Sequence, residues 1–250
     1  MGQTKQKLRN GEAAYGGWMM IGHPTIAELM AGEGFDWICV DMEHTSIDLH
    51  TLHEIVLAVK GTNVDLLVRL GSLDAVLAKR VLDSGAQGII VPNINTAAQA
   101  KEAVAMAKFP PAGHRGASLC RATDFGRRFQ EYYQAHNDNV IVAVMIEHID
   151  AVNNIEEILS VAGIDATFIG PYDLSASMGM AGQIDNQKVR EAQHKILKAC
   201  QEHNIPAGIH VVPTDPDEIQ ARQATGFRFI ACGLDTNFIM NGCRAMLPHK

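Results

Sequence analysis

The sequence predicts an α/β fold of the (β/α)8 barrel type, and three observations carry this prediction. Eight short apolar runs rich in β-branched residues recur along the chain. Segments with helical apolar spacing separate these runs, and such alternation is typical of parallel strands covered on both faces. Eight such units within 250 residues match the size of a closed barrel. A doubly wound open sheet is the alternative, disfavoured because no Gly-x-Gly-x-x-Gly motif opens the first unit.

Each strand is predicted from one apolar run. In chain order the runs are 17–21 (GWMMI), 37–42 (WICVDM), 65–70 (DLLVRL), 88–93 (GIIVPN), 140–147 (VIVAVMIE), 166–171 (ATFIGP), 207–212 (AGIHVV) and 227–233 (FRFIACG). The segments with helical spacing are 25–34, 49–61, 73–85, 96–109, 151–163, 189–204, 217–226 and 236–246. Several close on glycine, the usual left-handed C-cap of a helix: Gly34, Gly61, Gly85, Gly163 and Gly226.

The composition predicts one domain, residues 1–250, in the cytoplasm. With 47% hydrophobic and 20% charged residues, the chain can bury a sizeable core. A net charge of −7 without a basic stripe argues against a nucleic-acid partner. No apolar run approaches the roughly 18 residues of a membrane helix, and the N-terminus lacks a signal-peptide pattern. The five cysteines are scattered, so neither a disulfide framework nor a thiolate zinc site is expected.

One connection is much longer than the others. Residues 110–139 join the fourth predicted barrel helix to the fifth strand and are rich in arginine and aromatic residues. Loops of this length in a compact domain tend to be functional. The arginines of this segment are candidates for binding an anionic substrate or a neighbouring subunit, and a merely solvated loop is the alternative: Arg115, Arg121, Arg127 and Arg128.

Polar residues that can carry chemistry end four of the predicted strands. They are Asp41, Glu43 and His44 after the second strand, Arg69 in the third, Glu147 after the fifth and Asp173 after the sixth. In a barrel of this type the loops that follow the strands converge at one mouth, where active sites lie. The sequence therefore predicts that these side chains meet in one site.

Glu147 and Asp173 indicate a hard divalent cation. Two carboxylates without a thiolate or a His-x3-His pair favour Mg²⁺ or Mn²⁺ over structural zinc. With two protein ligands, several coordination positions stay open for water or substrate, as a catalytic metal requires. The structural alternatives are that Asp173 caps a short helix and that Glu147 pairs with a surface Arg or Lys.

His44 and Arg69 are the candidate catalytic side chains. Histidine titrates near neutral pH and suits acid–base work, and Asp41 is one candidate to orient His44. Arg69 is costly inside an apolar strand unless it is paired, and at the barrel mouth it can bind a carboxylate or a developing oxyanion. Its structural alternative is an ion pair with Asp41 or Glu43. Lysines lie in helical segments rather than at strand ends, which disfavours Schiff-base chemistry.

At these positions the sequence resembles a known family. FDWICVDMEH, VRL, VLDSGAQGIIVPNINTAAQA, PPAGHRG, MIEHIDAVNNIEEIL and GIDATFIGPYDLSASMG together resemble the HpcH/HpaI family of metal-dependent (class II) pyruvate aldolases, from Gly17 to Asp235. The resemblance implies a carbon–carbon lyase that cleaves or forms 4-hydroxy-2-oxo acids of the 2-keto-3-deoxy sugar acid or 2,4-dihydroxyhept-2-enedioate type. Pyruvate would be the donor and an aldehyde its partner. A divalent cation (Mg²⁺, Mn²⁺ or Co²⁺) is implied, as is a homohexamer, a trimer of dimers that exchange the last helix.

By position, the resemblance also implies roles for individual residues. Glu147 and Asp173 would hold the metal, Arg69 would stabilise the enolate oxygen, and His44 would be the general base for the C4 hydroxyl. The backbone around Tyr172 and Asp173 would bind the pyruvate carboxylate.

Three positions complicate these roles. Asp83 would raise the basicity of the histidine, yet it is predicted in the last turn of a helix at the opposite end of the barrel, so Asp41 and Asp83 both stand as candidates. Met145 occupies a substrate-pocket position where related aldolases often carry Gln, which removes a hydrogen-bonding group. Tyr172 replaces a small residue in the Gly-Pro-x-Asp motif and narrows the entrance.

Two other functions compete with the aldolase. One is a carbon–carbon lyase of the citrate-lyase type that acts on a CoA thioester, which would need a basic groove for the CoA phosphates. The other is a non-catalytic, metal-dependent carboxylate-binding protein in which the same acids hold an ion and His44 is idle.

Overall fold

Eight parallel strands form a closed barrel in chain order in the computed structural model, which describes residues 2–248. They are β1 (Ala14–Met19), β2 (Trp37–Asp41), β3 (Asp65–Arg69), β4 (Gly88–Val91), β5 (Ile141–Ile146), β6 (Ala166–Ile169), β7 (Gly208–Val211) and β8 (Phe229–Leu234). The predicted (β/α)8 barrel is therefore confirmed. The first residue and the last two residues of the predicted domain, 1–250, lie outside the described residues.

Helices connect the strands and cover the barrel. They are α1 (Gln3–Arg9), α2 (Pro24–Gly32), α3 (Leu49–Ala58), α4 (Ala75–Ser84), α5 (Ala97–Ala107), α6 (Phe129–Asn139), α7 (Ile149–Asn153), α8 (Ile155–Leu159), α9 (Pro171–Ser177), α10 (Gln187–Glu202), α11 (Pro216–Thr225) and α12 (Asp235–Met246). Polar side chains at the N-caps accept backbone N–H groups, for example Asp74 at α4 and Thr96 at α5. Between residues 2 and 248, no helix is long and apolar enough to cross a membrane.

The first strand begins three residues earlier than predicted. β1 covers residues 14–19 rather than 17–21, because Gly16 and Gly17 lie inside the strand and do not interrupt it. A Cβ at Gly16 would clash with the indole ring of Trp37. The glycine thus makes room for a large side chain in the barrel interior, where Trp37 packs against Phe229 at 4.4 Å between ring centres.

The N-terminal helix α1 closes one end of the barrel. Lys5 is buried, and its Nζ lies 2.8 Å from Asp165 Oδ1 and donates to the carbonyl of Val140. The backbone N–H of Thr4 donates to Asp65 Oδ2 at 2.9 Å. These partners precede or begin strands, so α1 seals the N-terminal end and leaves the opposite end, where the strands finish, to the connecting loops.

The segment 110–139 is a loop only as far as residue 128. It contains a single 3-10 turn at Arg121–Thr123 and then helix α6. The sequence FQEYYQAHNDN gives α6 little apolar periodicity, and only His136 of this helix is buried, which explains why the helix was not predicted. The segment leads from α5 to the start of β5, so it lies at the end of the barrel that α1 closes.

The arginines of this segment bind groups of their own chain. Arg115 Nη2 donates to Asp83 Oδ1 at 2.7 Å, and Arg121 donates to the carbonyl of Ser84 at 3.2 Å. Arg127 forms an ion pair with Asp124, and Arg128 forms one with Glu131. In both pairs the partners are three residues apart and their side chains are exposed.

Acidification should destabilise the protein through His136. Burial, and then the charge of Arg115, lower the pKa of His136 to about 3. The unfolded chain takes up a proton below about pH 6.5 and the folded chain does not, so stability falls with pH by ~1.4 kcal/mol per unit between about pH 6.5 and 3. Urea unfolding at pH 7, 6 and 5 measures this slope. His136→Asn should reduce the slope, and an unchanged slope would contradict the assignment.

Candidate active site

Asp41, the last residue of β2, is fully buried and organises the mouth of the barrel. Its Oδ1 accepts the backbone N–H groups of Glu43 at 2.9 Å and His44 at 3.1 Å. Its Oδ2 accepts the indole N–H of Trp18 at 3.1 Å, and both oxygens accept hydrogen bonds from Arg69. Burial pushes the pKa of Asp41 up, but the hydrogen bonds and charge of Arg69 outweigh it and hold the pKa below its ordinary value. Asp41 is therefore an anion at neutral pH.

Arg69, at the end of β3, is both paired and exposed to the site. Besides Asp41, its Nη1 lies 3.1 Å from Glu43 Oε2. Its guanidinium carbon lies 5.0 Å from the ring centre of Trp18, and its side chain lines the main cavity at the mouth. The ion pair anticipated as the structural alternative is present, and it holds the guanidinium in place at the cavity wall.

His44 lies in the connection that follows β2, and it lines the same cavity with 58% of its side chain exposed. Its backbone N–H, and not its ring, donates a hydrogen bond to Asp41 Oδ1. Its ring Nε2 lies 3.8 Å from Glu43 Oε2. Asp41 thus positions the backbone that carries His44, while Glu43 is the carboxylate beside the imidazole.

Asp83 lies away from this mouth within the chain. It sits in the last turn of α4, which runs from the end of β3 back to the start of β4, and it accepts its hydrogen bond from Arg115. It lines a separate cavity of 470 Å³ with His50 and His53. The sequence-based placement of Asp83 at the opposite end of the barrel from His44 agrees with this position.

Glu147 directly follows β5 and is 3% exposed. Its Oε1 accepts the backbone N–H of Asn93 at 2.7 Å. A Cβ at Gly170 would lie 2.6 Å from Glu147 Oε2, so this glycine allows the carboxylate to approach the end of β6. Burial raises the pKa of Glu147 to about 7; the Asn93 hydrogen bond opposes the rise, and the charges of Glu43 and Asp173 add to it. A surface ion pair, the alternative considered for Glu147, does not describe this environment.

Asp173 lies in the first turn of α9, where its side chain is exposed at the mouth. The N-cap of α9 is Gly170, so Asp173 is not the capping residue that the structural alternative supposed. Asp173 and other sequence-predicted residues line one cavity of 430 Å³: His44, Arg69, Met145, Tyr172 and Asp173. Residues from four different strands, β2, β3, β5 and β6, and the loops after them therefore meet here.

The donor set at this mouth fits a divalent cation. Glu147 is a buried carboxylate close enough to Glu43 and Asp173 for their charges to raise its pKa, so a cation between the carboxylates would relieve their mutual repulsion. Within residues 2–248, no cluster of three or more His, Cys, Asp or Glu is arranged to hold a metal. A cation held by Glu147 and Asp173 would keep open positions, and their oxygens suit a hard ion.

Several residues of the site were not assigned roles from the sequence. Trp18 lines the cavity, and its indole N–H donates a hydrogen bond to Asp41. The backbone N–H of Asn93 donates a hydrogen bond to Glu147. Glu43 was anticipated only as an ion-pair partner of Arg69, and its position beside the ring of His44 was not predicted. His210, in β7, lines the cavity floor. The apolar run GIHVV contained the one signal for it, a polar residue within a strand.

Comparison with known proteins finds relatives that match nearly the whole chain. A solved structure from Burkholderia cenocepacia, described as an HpcH/HpaI aldolase/citrate lyase family protein, superposes with a TM-score of 0.93. It is 32% identical in sequence, and the alignment covers 98% of this chain and 97% of that one.

Curated relatives match over nearly the full length. A 4-hydroxy-2-oxovalerate aldolase of Novosphingobium aromaticivorans is 38% identical over 93% of this chain and 88% of its own. A hydroxypyruvate/pyruvate aldolase of Roseobacter denitrificans is 34% identical over 95% and 92%, respectively. The family described as HpcH/HpaI aldolase/citrate lyase matches residues 15–242. The chain therefore belongs to the HpcH/HpaI aldolase/citrate lyase family.

Proposed function

We propose that the protein is a class II aldolase that cleaves or forms 4-hydroxy-2-oxo acids, with pyruvate as donor or product and an aldehyde as partner. Substrates of the 2-keto-3-deoxy sugar acid or 2,4-dihydroxyhept-2-enedioate type fit this proposal, as family membership and the names of the relatives support. The observation that carries it is the cavity in which His44, Arg69 and Asp173 meet beside the buried Glu147.

Glu147 and Asp173 would hold the cation, Mg²⁺, Mn²⁺ or Co²⁺. When bound, it supplies an electrophile that polarises the 2-oxo group of the substrate. The backbone N–H groups around Tyr172 and Asp173 would bind the carboxylate of the 2-oxo acid at the start of α9. Met145, buried in β5, would contact the substrate without donating a hydrogen bond.

Arg69 would stabilise the negative charge that develops on the 2-oxo oxygen as the C3–C4 bond breaks. Asp41 and Glu43 hold the guanidinium in a fixed position, so little reorganisation is needed when the charge develops. His44 would take the proton from the C4 hydroxyl, which becomes the aldehyde oxygen. In the synthetic direction the same groups act in reverse.

His44→Asn tests the acid–base assignment. We expect cleavage of a 4-hydroxy-2-oxo acid to fall by about 10²- to 10⁴-fold, the usual contribution of a general base. Affinity for Mn²⁺ and for pyruvate should stay within about twofold, because the metal ligands and Arg69 are untouched. Turnover equal to that of the wild type would exclude His44 as the base. Loss of turnover with Mn²⁺ and pyruvate affinity retained would exclude a non-catalytic carboxylate-binding protein.

In this proposal, Asp83 acts on His44 only if the two residues belong to different subunits. In one chain it lies at the closed end of the barrel, bound to Arg115. It can raise the basicity of His44 only if another copy brings its own Asp83 to the mouth. Asp41 reaches the backbone of His44 within the same chain and positions it directly.

The proposed assembly is a homohexamer, a trimer of dimers that exchange α12. Support comes from the second half of α12, whose residues 239–246 are all exposed, including the apolar Ile239, Met240 and Met246. We expect a mass of six chains by light scattering. Truncation after residue 238 should lower the number of chains in the assembly. An assembly that still contains six chains would contradict exchange of this helix.

The CoA-thioester alternative, which needs a basic groove, receives no support from Arg115 and Arg121 of segment 110–139. Arg115 is buried against Asp83, and Arg121 donates hydrogen bonds to backbone carbonyls.

A cytoplasmic location remains part of the proposal, supported by five free cysteines.

A further inference from the structure

Met20 directly follows β1, and its side chain lines the main cavity at the rim of the mouth. It packs on top of the apolar cluster that fills the barrel interior, as Leu234 does at the end of β8. The connection that begins with Met20, residues 20–23, leads straight to α2 and contains no helix or strand of its own. Its shape must therefore be fixed by contacts with other segments.

The carboxylate of Asp235, the first residue of α12, supplies these contacts. Asp235 is 2% exposed. Its two oxygens accept the backbone N–H of Met20 at 3.0 and 3.1 Å, and Oδ2 also accepts that of Ile21 at 2.8 Å. Oδ1 accepts the backbone N–H of Thr236 at 2.7 Å. One buried carboxylate thus joins the start of α12 to the connection after β1.

Capping of α12 does not account for this arrangement. The N-cap residue is Leu234, and Asp235 accepts one N–H of its own helix, that of Thr236. The other two N–H groups lie about 215 positions away in the sequence. Both carboxylate oxygens serve as acceptors, whereas an amide of the same size offers one oxygen and a donating NH₂ group. An amide would leave part of this contact unsatisfied, which is costly in a buried place.

Strand order indicates which part of a substrate lies near Met20. The groups proposed to bind the 2-oxo acid come from β3, β5 and β6. His44, proposed to take the proton from the C4 hydroxyl, follows β2, and β2 pairs with β1. Met20 is thus the apolar side chain at the rim that adjoins His44 in strand order, on the side of C4 and the substituent that C4 carries.

We propose that Asp235 is a positioning residue that holds Met20 beside the substituent on C4 and thereby restricts the enzyme to short-chain aldehydes. A short chain fits beside a fixed Met20, and a longer chain meets its side chain. This inference rests on the proposed aldolase function and adds to it a residue that acts on specificity through the backbone of another.

Aldol addition of pyruvate to acetaldehyde and to pentanal, with Mn²⁺ present, measures this restriction, because the two acceptors differ only in chain length. Asp235→Asn should release Met20, so kcat/KM for pentanal relative to acetaldehyde should rise about tenfold, as expected for apolar discrimination of chain length. Met20→Ala should raise the ratio at least as much, because it removes the wall. Asp217→Asn, the same substitution at an exposed position in the first turn of α11, should leave the ratio unchanged.

A double variant separates positioning from a general loosening of the structure. If Asp235 acts through Met20, Asp235→Asn combined with Met20→Ala should show the ratio of Met20→Ala alone. A further rise by the same factor in the double variant would overturn the inference. Met20→Ala changes one side chain at the rim and tests the wall even if Asp235→Asn folds poorly, so an unchanged ratio in Met20→Ala would overturn the inference too.

The donor half-reaction distinguishes failure of this inference from failure of the aldolase proposal. Exchange of the pyruvate methyl protons in D₂O needs no aldehyde. A wild-type protein that exchanges these protons with Mn²⁺ but does not add pyruvate to acetaldehyde would overturn the inference alone. Absence of exchange in the wild type would instead reject the aldolase proposal.

Discussion

Glu147→Gln should lose metal-dependent turnover by about a thousandfold, the equivalent of about 4 kcal/mol of transition-state stabilisation. The substitution preserves size and still accepts the backbone N–H of Asn93, so the fold should be retained. It removes the one buried negative charge that a cation at this mouth would neutralise. Affinity for Mn²⁺ should fall together with turnover, because both depend on that carboxylate.

Isothermal titration with Mn²⁺ and steady-state kinetics measure the two effects on the same preparation. Glu157→Gln is the matched control, since Glu157 lies exposed on α8 and does not line the cavity at the mouth. The control should bind Mn²⁺ as the wild type does. Wild-type Mn²⁺ affinity in Glu147→Gln would remove Glu147 from the metal site.

Arg69→Met should both inactivate and destabilise the protein. Asp41 is fully buried, and loss of Arg69 leaves its carboxylate without a cation. Breaking a buried pair from one side costs about 3–5 kcal/mol. Turnover should fall by about 10²- to 10³-fold as well, because the developing oxyanion loses a preorganised donor.

A second variant separates these two roles. Arg69→Met combined with Asp41→Asn removes the uncompensated charge, so urea unfolding should show recovery of a large part of the lost stability. Turnover should not recover, since the guanidinium is still absent. Recovery of turnover would show that Arg69 is only a structural ion-pair partner.

The fold was predictable because each barrel strand is a short apolar run buried on both faces. The sheet requires such runs, and strand-end residues such as His44 and Glu147 follow directly from them. Helices α1 and α6 were not predictable in the same way. Two of the three buried residues of α1, Thr4 and Lys5, are polar. The sequence of α6 is polar and lacks an apolar helical pattern, and His136 is its only buried residue.

The candidate site was predictable in its residues but not in its contacts. Asp41, Arg69 and His44 could be assigned to one mouth from strand order alone. That Asp41 bonds the backbone of His44 while Glu43 lies beside its ring depends on the path of the loop after β2. The stacking of His210 on Trp18 depends on packing between β1 and β7, which no local pattern in the sequence encodes.

Exchange of the pyruvate methyl protons in D₂O, followed by NMR, tests whether the protein forms a metal-dependent pyruvate enolate. The enolate is common to every version of the aldolase function, so no aldehyde is required. We expect no exchange by the metal-stripped protein, exchange on addition of Mg²⁺, Mn²⁺ or Co²⁺, and little or none in Glu147→Gln. Exchange that proceeds equally without metal, or a folded protein that shows no exchange with any of the three ions, would contradict it.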